Sequence, residues 1–592
     1  MNKIIYIILV GGLLLGASSC QKTFLNLNPQ DTFTDVVYFK QPSDFKTYTT
    51  GFYSQLMGWN CPYSDGIYNY MDLASDLSTY FSGGFSVDEG RGTLTIPTGD
   101  THWDKSYSWI RSTNILLSKA AAYTGSGDIS QYVSEAYFFR ANAYFNLLKY
   151  FGGVPLVTTV LDVNSAALTG PRNSRYEVVT QILSDLDNAI AHLPSEQSIP
   201  ATDKGRISKW AAEAFKAQVE LYEATWRKYN STTTDFTGSA GPASNQIAQF
   251  LTDAAALTKD VMDNGGYALW NYNTTPSILN QSYIYLFNLE DAGSNPAGLT
   301  KASNNEFILY GVYDYTLRRG GVNLTWTSWM MTPSRKMIDM FLCTDGLPPA
   351  KSPLFQGYHA VGDEYQNRDL RLSCYVNPAP ASGSVKLVSG GAGYGNTKFA
   401  AYKYGTYRTD NTESPNYSII RLAGVYLMYA EALYELNGSI TDAQLDASIN
   451  KIRDRAGVAH LSNALVTANG LNMLDEIRRE RTLELYHEGF RYDDLKRWGI
   501  AETALNASAC GEVVGDASYT TEFRDATGAA TSLYTPSVYV WGEEAVTTAA
   551  GTLNCIVIDS KANHHFAKKD YLYPIPQGQI NLNPNLKQNP GF

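Results

Sequence analysis

Between residues 131 and 152 the chain reads QYVSEAYFFRANAYFNLLKYFG, then stops at Gly152-Gly153 with Pro155 just beyond. Apolar residues every third or fourth position predict a helix buried over a broad face, and the Gly/Pro punctuation predicts its end. A partner helix is expected over Arg175–Leu193, stopped by Pro194, and a second pair over Ser208–Tyr229 and Gln246–Asp263. Trp103 to Ala122 carries the same period through Trp103, Tyr107, Ile110, Asn114 and Leu117. Further helices are expected at Ser43–Met57, with Ser43 as N-cap, and later at Tyr417–Leu436, Ala443–Ala456 and Leu471–Tyr486. Adjacent helices of this length resemble tetratricopeptide (TPR) pairs. The Ala-x-x-x-aromatic element of that repeat recurs as Ala141…Phe145 and Ala211…Phe215, the small residue allowing close approach and the ring filling the neighbouring groove. A strict 34-residue period is missing, so a generic helical bundle is the alternative.

Two long regions break the helical pattern. Gly265–Ser414 and Ala501–Phe592 are rich in Gly, Asn, Ser, Thr and Pro, with short apolar runs such as Glu306–Tyr310 and Cys555–Asp559. Regions of this size in a compact protein are functional or hold small strands of their own. The fold class expected is mainly α: a TPR-like helix-pair scaffold carrying a large loop-rich, partly β region that forms the ligand face. The divisions expected are 43–264 and 415–500 for the helical parts, 265–414 for the insertion and 501–592 for a C-terminal part packed on the scaffold.

Composition narrows the function. The 592 residues are 44% hydrophobic, enough for a large core, but only 17% charged, with a net charge of −11. A mildly acidic chain with no basic block is a poor fit to nucleic acid. The aromatic content is high, with 42 Tyr, 23 Phe and 10 Trp. So much Tyr beside so little charge suggests contact with uncharged ligands by stacking and hydroxyl hydrogen bonds, although helix packing must use most of it.

The first twenty residues, MNKIIYIILVGGLLLGASSC, place one Lys before an apolar run from Ile4 to Leu15 and small residues before Cys20. That layout is a secretory signal peptide over 1–19, too short for a membrane span. A Cys directly after small residues is similar to a bacterial lipobox, so Cys20 is the expected lipidation site and 20–42 a lipid-anchored tether. No later stretch approaches 18 apolar residues. The other cysteines, Cys61, Cys343, Cys374, Cys510 and Cys555, are scattered with no CxxC pair, which argues against zinc or a redox motif.

Several phrases, in order, carry a family resemblance: FLNLNPQDTFTD after Cys20, DLASD (Asp72 to Asp76), the Trp103…Asn114 helix, EAYFFRANAYFNLLKYFGGVPLV, TPSRKMIDMFLCTDG, YQNRDLRL, IIRLAGVYLMYAEALYELNG, INKIRDRAGV, IRRERTLELYHEGFRYDDLKRWG and YLYPIPQGQINLNPNLKQNPGF. The chain resembles the SusD/RagB family of Bacteroidetes outer-membrane nutrient-binding lipoproteins. The resemblance implies about four TPR-like helix pairs with a loop-rich ligand-binding part folded over them. It also implies a lipid-anchored protein exposed at the cell surface, acting as the lid of a SusC-like TonB-dependent transporter barrel. Such a protein captures oligosaccharides, or in some members peptides, and does no chemistry.

The residues offer little for catalysis. Arg478–Trp498 is the densest charge cluster, and Glu484 and Glu488 lie one helical turn apart, a spacing that could present two carboxylates on one face. Five arginines in the same segment favour ionised, structurally paired acids over a proton donor. The seven His include His487-Glu488 without the second His of HExxH, and the Gly-rich SGGAGYGNTK (Ser389 to Lys398) lacks a phosphate-loop Lys-Ser/Thr. GxSxG is absent. No catalytic residue, metal site or cofactor is expected; an oxygen-ligated structural calcium is left open.

The aromatics hold the candidate ligand site. Trp210, Trp226 and Trp498 sit in helical patterns, and Trp103 in the family helix, as core. Trp59, Trp270, Trp326 and Trp329 lie in irregular polar segments with less to pack against, where indoles could stack on the C–H faces of sugars. Trp326 and Trp329 directly precede TPSRKMIDMF, a neighbourhood that in the family supplies part of the ligand platform. Tyr283, Tyr285, Tyr63, Tyr68 and Tyr70 rank second. The alternatives to an oligosaccharide binder are a peptide-binding member of the family, an exported all-helical glycan-active enzyme, or a pure interaction scaffold.

Overall fold

The computed structural model describes residues 38–59, 72–80, 88–357, 363–377, 394–403, 405–514, 540–548 and 551–592. Helices dominate. The first, α1 (Pro42–Thr50), starts one residue earlier than the sequence suggests: Gln41 is its N-cap and Pro42 its first residue, where the missing N–H costs nothing. It passes into a short 3-10 turn at Gly51–Gln55, which ends the expected long helix.

The scaffold follows as α2 (Thr101–Ala121), α3 (Ser130–Phe151), α4 (Arg175–Ile190), α5 (Lys209–Asn230) and α6 (Ile247–Asn264), each packed against the next. Local chemistry explains the ends. Asp100 caps α2 by accepting from the N–H groups of His102 and Trp103, Ser174 and Glu177 form a capping box on α4, and Ser208 caps α5. After α3, Gly152 adopts φ 75°, and a Cβ on Gly153 would sit 2.3 Å from the Asn173 carbonyl oxygen, so both glycines are required where the chain turns back.

The Ala/aromatic elements do what their sizes dictate. Ala141, Phe145, Ala211 and Phe215 are all buried, and the Phe145 and Phe215 rings meet edge to face at 5.6 Å. Three helices are also tied by polar groups. Arg140 donates to Asn114 Oδ1 (2.8 Å) and through two nitrogens to Asp185 (2.8 and 2.7 Å), linking α2, α3 and α4. Trp103, Trp210, Trp226 and Trp498 are core residues, as their periodic positions suggest.

The stretch expected as one helix over Tyr417–Leu436 divides in two. Tyr417–Arg421 is a strand antiparallel to Phe307–Gly311, and the helix begins only at Leu422. The β-branched pair Ile419-Ile420 suits an extended segment, and a partner strand is available. Likewise Ala443–Ala456 breaks at Ser448 into Asp442–Asp446 and Ile449–Ala456.

The further elements named below are β1 (Ser78–Tyr80), β2 (Phe307–Gly311), α7 (Leu324–Met330), β3 (Met331–Pro333), α8 (Arg335–Met340), β4 (Tyr417–Arg421), α9 (Leu422–Asn437), α10 (Ile449–Ala456), α11 (Met473–Glu484), α12 (Arg491–Arg497), β5 (Ala509–Val514), β6 (Val540–Thr548) and β7 (Gly551–Asp559). The three last strands form one sheet in the order β5-β7-β6. Beside the helical core lies a second apolar core, built from Trp59, Trp270, Tyr283, Phe341, Tyr375 and their neighbours, beneath the loop-rich region. Among the described residues no helix is long and apolar enough to cross a membrane.

Candidate functional site

A cleft of about 540 Å³ opens where β1, α8, the start of α12 and the edges of β5 and β7 converge. Its floor is held by the DLASD turn. Asp76 receives two hydrogen bonds from Arg491, at 2.8 and 2.9 Å, and Asp72 accepts from the backbone N–H groups of His487 (2.6 Å) and Arg491 (3.2 Å). The α8 wall is set by Ser334. Its N–H reaches the Leu77 carbonyl and its hydroxyl the Asp76 carbonyl, while its side chain also caps α8. Antiparallel pairing of β1 with β3, Ser78 opposite Pro333 and Tyr80 opposite Met331, fixes this wall directly after α7.

The carboxylates of the cleft are all paired. Asp76 has Arg491, Asp339 has Arg335 at 2.7 Å, and Asp559 has Arg91 at 2.7 Å and His564 at 3.1 Å. Burial alone would raise Asp559, but hydrogen bonds from His564, Asn563 and Arg91 overcome it and hold the group at about 2. Burial is likewise outweighed at Asp76, where the Arg491 guanidinium keeps the carboxyl below its ordinary value. Asp76 and Asp559, held low by their partners, keep spare lone pairs to accept from a ligand's hydroxyls, and the paired guanidiniums keep N–H groups to donate. Lys336 stands exposed at the rim.

Beneath the loop-rich region runs a buried ion network. Glu484 accepts from Arg371 (3.0 Å), Arg421 (2.7 Å) and Arg455 (2.7 Å), and from the Tyr283 hydroxyl (3.0 Å). Arg421 also holds Glu306 and Glu488, Lys398 holds Glu488, and Glu480 joins Arg371 to Arg453. With Asp369 on Arg371 and Glu476 at 3.9 Å from Arg453, the five cations Arg371, Lys398, Arg421, Arg453 and Arg455 face six carboxylates, and Arg479, also paired with Glu476, balances the sixth. Burial would raise Glu484, yet its three arginines drive it far below the ordinary carboxylate range. Helix α11 ends at Glu484, so Glu484 and Glu488 do not share a helical face as the spacing suggested; both meet Arg421 instead.

Four of the aromatic candidates are corrected by the packing. Trp59 is 2% exposed, donates Nε1–H to the Pro415 carbonyl at 2.7 Å, and lies edge-on to Phe399 and Tyr417. Trp270 is 2% exposed with its Nε1–H on Ser303, Tyr283 serves Glu484, and Tyr285 is buried with its hydroxyl on Gln281. Polar, Gly-rich sequence does not mean a thin surface layer: these segments enclose the second core, and none of the four offers a ring face to a ligand. The segment with Trp326 and Trp329 is a helix, α7, not an irregular loop. It leads through β3 into the cleft wall; the two side chains lie outside the described part of the structure. Tyr63, Tyr68, Tyr70 and Cys20 lie outside the described residues.

Sequence reasoning passed over Arg91, Arg335 and Asp559, whose alignment depends on contacts between distant segments. Of the network residues, Arg421 did have a signal, as a lone charge inside the apolar phrase IIRLAGVYLM, whereas Arg371, Arg453 and Arg455 stand among other charged residues. Among the described residues, no group of three or more His, Cys, Asp or Glu is arranged to hold a metal.

Comparison with known proteins extends these observations. The family described as "SusD family" matches residues 375–592, and the one described as "Starch-binding associating with outer membrane" matches 85–221. SusD-like protein P25 of Formosa agariphila is 24% identical over 522 residues, covering 84% of this chain and 90% of that protein. Among solved structures, a SusD-like carbohydrate-binding protein from Bacteroides fragilis is 23% identical with a TM-score of 0.67, covering 93% of this chain and 99% of the other. A laminarin-binding SusD-like protein, 20% identical, has a TM-score of 0.56 and covers 93% and 100%. The mainly α, TPR-like fold is therefore shared along nearly the whole chain.

Proposed function

Starting from a chain that belongs to the SusD/RagB family, we propose a non-catalytic binding protein that captures oligosaccharides and passes them to a SusC-like TonB-dependent transporter, serving as its lid. The observation that carries this reading is the 540 Å³ cleft whose carboxylates are each paired with a cation. Such a lining offers donors and acceptors in fixed positions to a hydroxyl-rich ligand and no proton for bond cleavage. The outer-membrane starch-binding description of one matched family and the laminarin-binding neighbour support an oligosaccharide as ligand. In this reading Cys20 carries the lipid that tethers the protein to the outer surface of the outer membrane, α7 with Trp326 and Trp329 borders the ligand, and no cofactor takes part.

Calorimetric titration of the full-length protein in detergent, against neutral and acidic oligosaccharides and a peptide digest, tests the proposal. Saturable oligosaccharide binding that weakens at least tenfold in Arg91→Ala, and again in Trp326→Ala or Trp329→Ala, is the expected result, a factor of ten being about 1.4 kcal/mol. Binding of peptides alone would replace the ligand class. Appearance of a cleaved glycan product would remove the non-catalytic reading.

A further inference from the structure

A second ligand-ready surface lies away from the cleft, on the hairpin that follows β2. Asp314 and Arg318 pair through reciprocal backbone hydrogen bonds of 2.8 and 2.9 Å, leaving Tyr315, Thr316 and Leu317 as the tip. The base is anchored where the Gly320 N–H donates to the Glu413 carbonyl at 2.8 Å. At the tip Tyr315 is 41% and Leu317 88% exposed, unusual for large apolar side chains on a rigid turn.

The arginines of this hairpin are held in place without an acid partner. The Arg318 guanidinium lies 4.4 Å over the Tyr313 ring and spends one N–H on the Val312 carbonyl. The Arg319 guanidinium lies 4.7 Å from the Tyr315 ring centre and spends its Nε–H on the Tyr315 carbonyl at 2.7 Å. Arg408 sits 4.3 Å from the same Tyr315 ring. Among the described residues, neither Arg318 nor Arg319 has a carboxylate within ion-pair distance. Of the nearby acids, Glu290 and Asp291 pair with Arg408 and Asp314 accepts from the N–H groups of Thr316 and Leu317, while the Glu413 carboxylate is buried at the hairpin's base and pairs with neither arginine. On a chain of net charge −11, two adjacent exposed guanidiniums left without acids are a departure that packing does not require.

We propose that the Tyr315–Arg319 hairpin tip recognises the anionic groups, carboxylate or sulfate, of an acidic oligosaccharide. Stacking on tyrosine and a bond to a backbone carbonyl hold each guanidinium flat, with most of its five N–H donors still open in the fork geometry that matches a carboxylate or sulfate. The exposed Tyr315 and Leu317 offer apolar surface for the C–H face of the adjoining sugar. The inference rests on the oligosaccharide-binding reading above and narrows it to an acidic ligand.

The test titrates the full-length protein in neutral detergent with three probes: an oligogalacturonate carrying carboxylates, a carrageenan oligosaccharide carrying sulfates, and a neutral laminarin oligosaccharide, each at low and high salt. The expected result is binding of at least one anionic probe that weakens with salt and falls about tenfold or more in Arg318→Gln/Arg319→Gln. Lys259→Gln, an exposed change on α6, should leave it unaltered. The melting profile of each variant, expected to match the parent, separates lost recognition from lost folding. Anionic binding unchanged in the double variant, or binding of the neutral probe alone, overturns the inference while the oligosaccharide reading stands. Failure of all three probes overturns both.

Discussion

Asp76 and Arg491, 415 residues apart in the chain, meet through two parallel hydrogen bonds of 2.8 and 2.9 Å on the floor of the cleft. Their side chains are 7% and 8% exposed, so the pair is largely out of water. Arg491→Ala should cost about 3–5 kcal/mol, because it leaves Asp76 buried without its cation. The double variant Asp76→Ala/Arg491→Ala should lose less than the sum of the single changes. Urea unfolding would measure both; a loss below about 1 kcal/mol in Arg491→Ala would mean that water reaches the site and the pair does not hold the floor.

Glu484 is the hub of the buried network, bound by three arginines and the Tyr283 hydroxyl. Glu484→Gln leaves three arginines sharing a neutral amide, and a loss of about 3–5 kcal/mol is expected. Thermal unfolding of the variant provides the check. A near-parental melting temperature would contradict the hub assignment.

Phe145 and Phe215 test the helix-pair packing. Either change to Ala should cost about 3–5 kcal/mol through the cavity it leaves. A double-mutant cycle should return a coupling of about 0.5–1.5 kcal/mol for the edge-to-face contact. A coupling near zero would mean that each ring acts only by filling space.

Stability should peak in weakly acidic solution, because two sets of acids pull in opposite directions. Burial raises Asp72 to about 7, Glu135 to about 7 and Glu220 to about 8. The folded protein therefore binds their protons more tightly than the unfolded chain, and stability falls as pH rises from about 4 through 7 to 8. Glu431 goes the other way: burial is outweighed by Arg497, which holds it at about 2 through bonds of 2.6 and 2.8 Å. Its contribution is complete above the unfolded value of about 4.3 and is lost as pH falls toward 2. Urea midpoints from pH 3 to 9 would show the peak, and Glu220→Gln should flatten its alkaline side. A midpoint that climbs steadily from pH 5 to 8 is the outcome that this balance forbids.

The sequence exposed the helices far better than the ligand surface, for a physical reason. Segments such as 131–152 bury one face against an adjacent helix, so their period is written locally; Trp103–Ala122 and Ser208–Tyr229 are observed as helices within about two residues. Ile419 and Ile420 carry no local mark that separates them from the helix that follows, because their strand partner lies more than a hundred residues earlier. Trp59 and Trp270 looked like surface residues because their polar neighbours in sequence gave no hint of Phe399, Tyr417 or Ser303 around them in space. The Arg318–Arg319 pair was visible as two adjacent charges, but only the hairpin shows that they lack acids and lie on tyrosines.

The bonds from Asp72 and Asp76 to residues 487 and 491 also set an order of events during folding. Helices α2 to α6 contact their sequence neighbours, so their pairing needs little from distant segments until α6 also meets α9. The cleft has no floor until Arg491 has arrived from the far end. A floor closed by a contact between residues 415 positions apart is therefore among the last parts of the structure that can form.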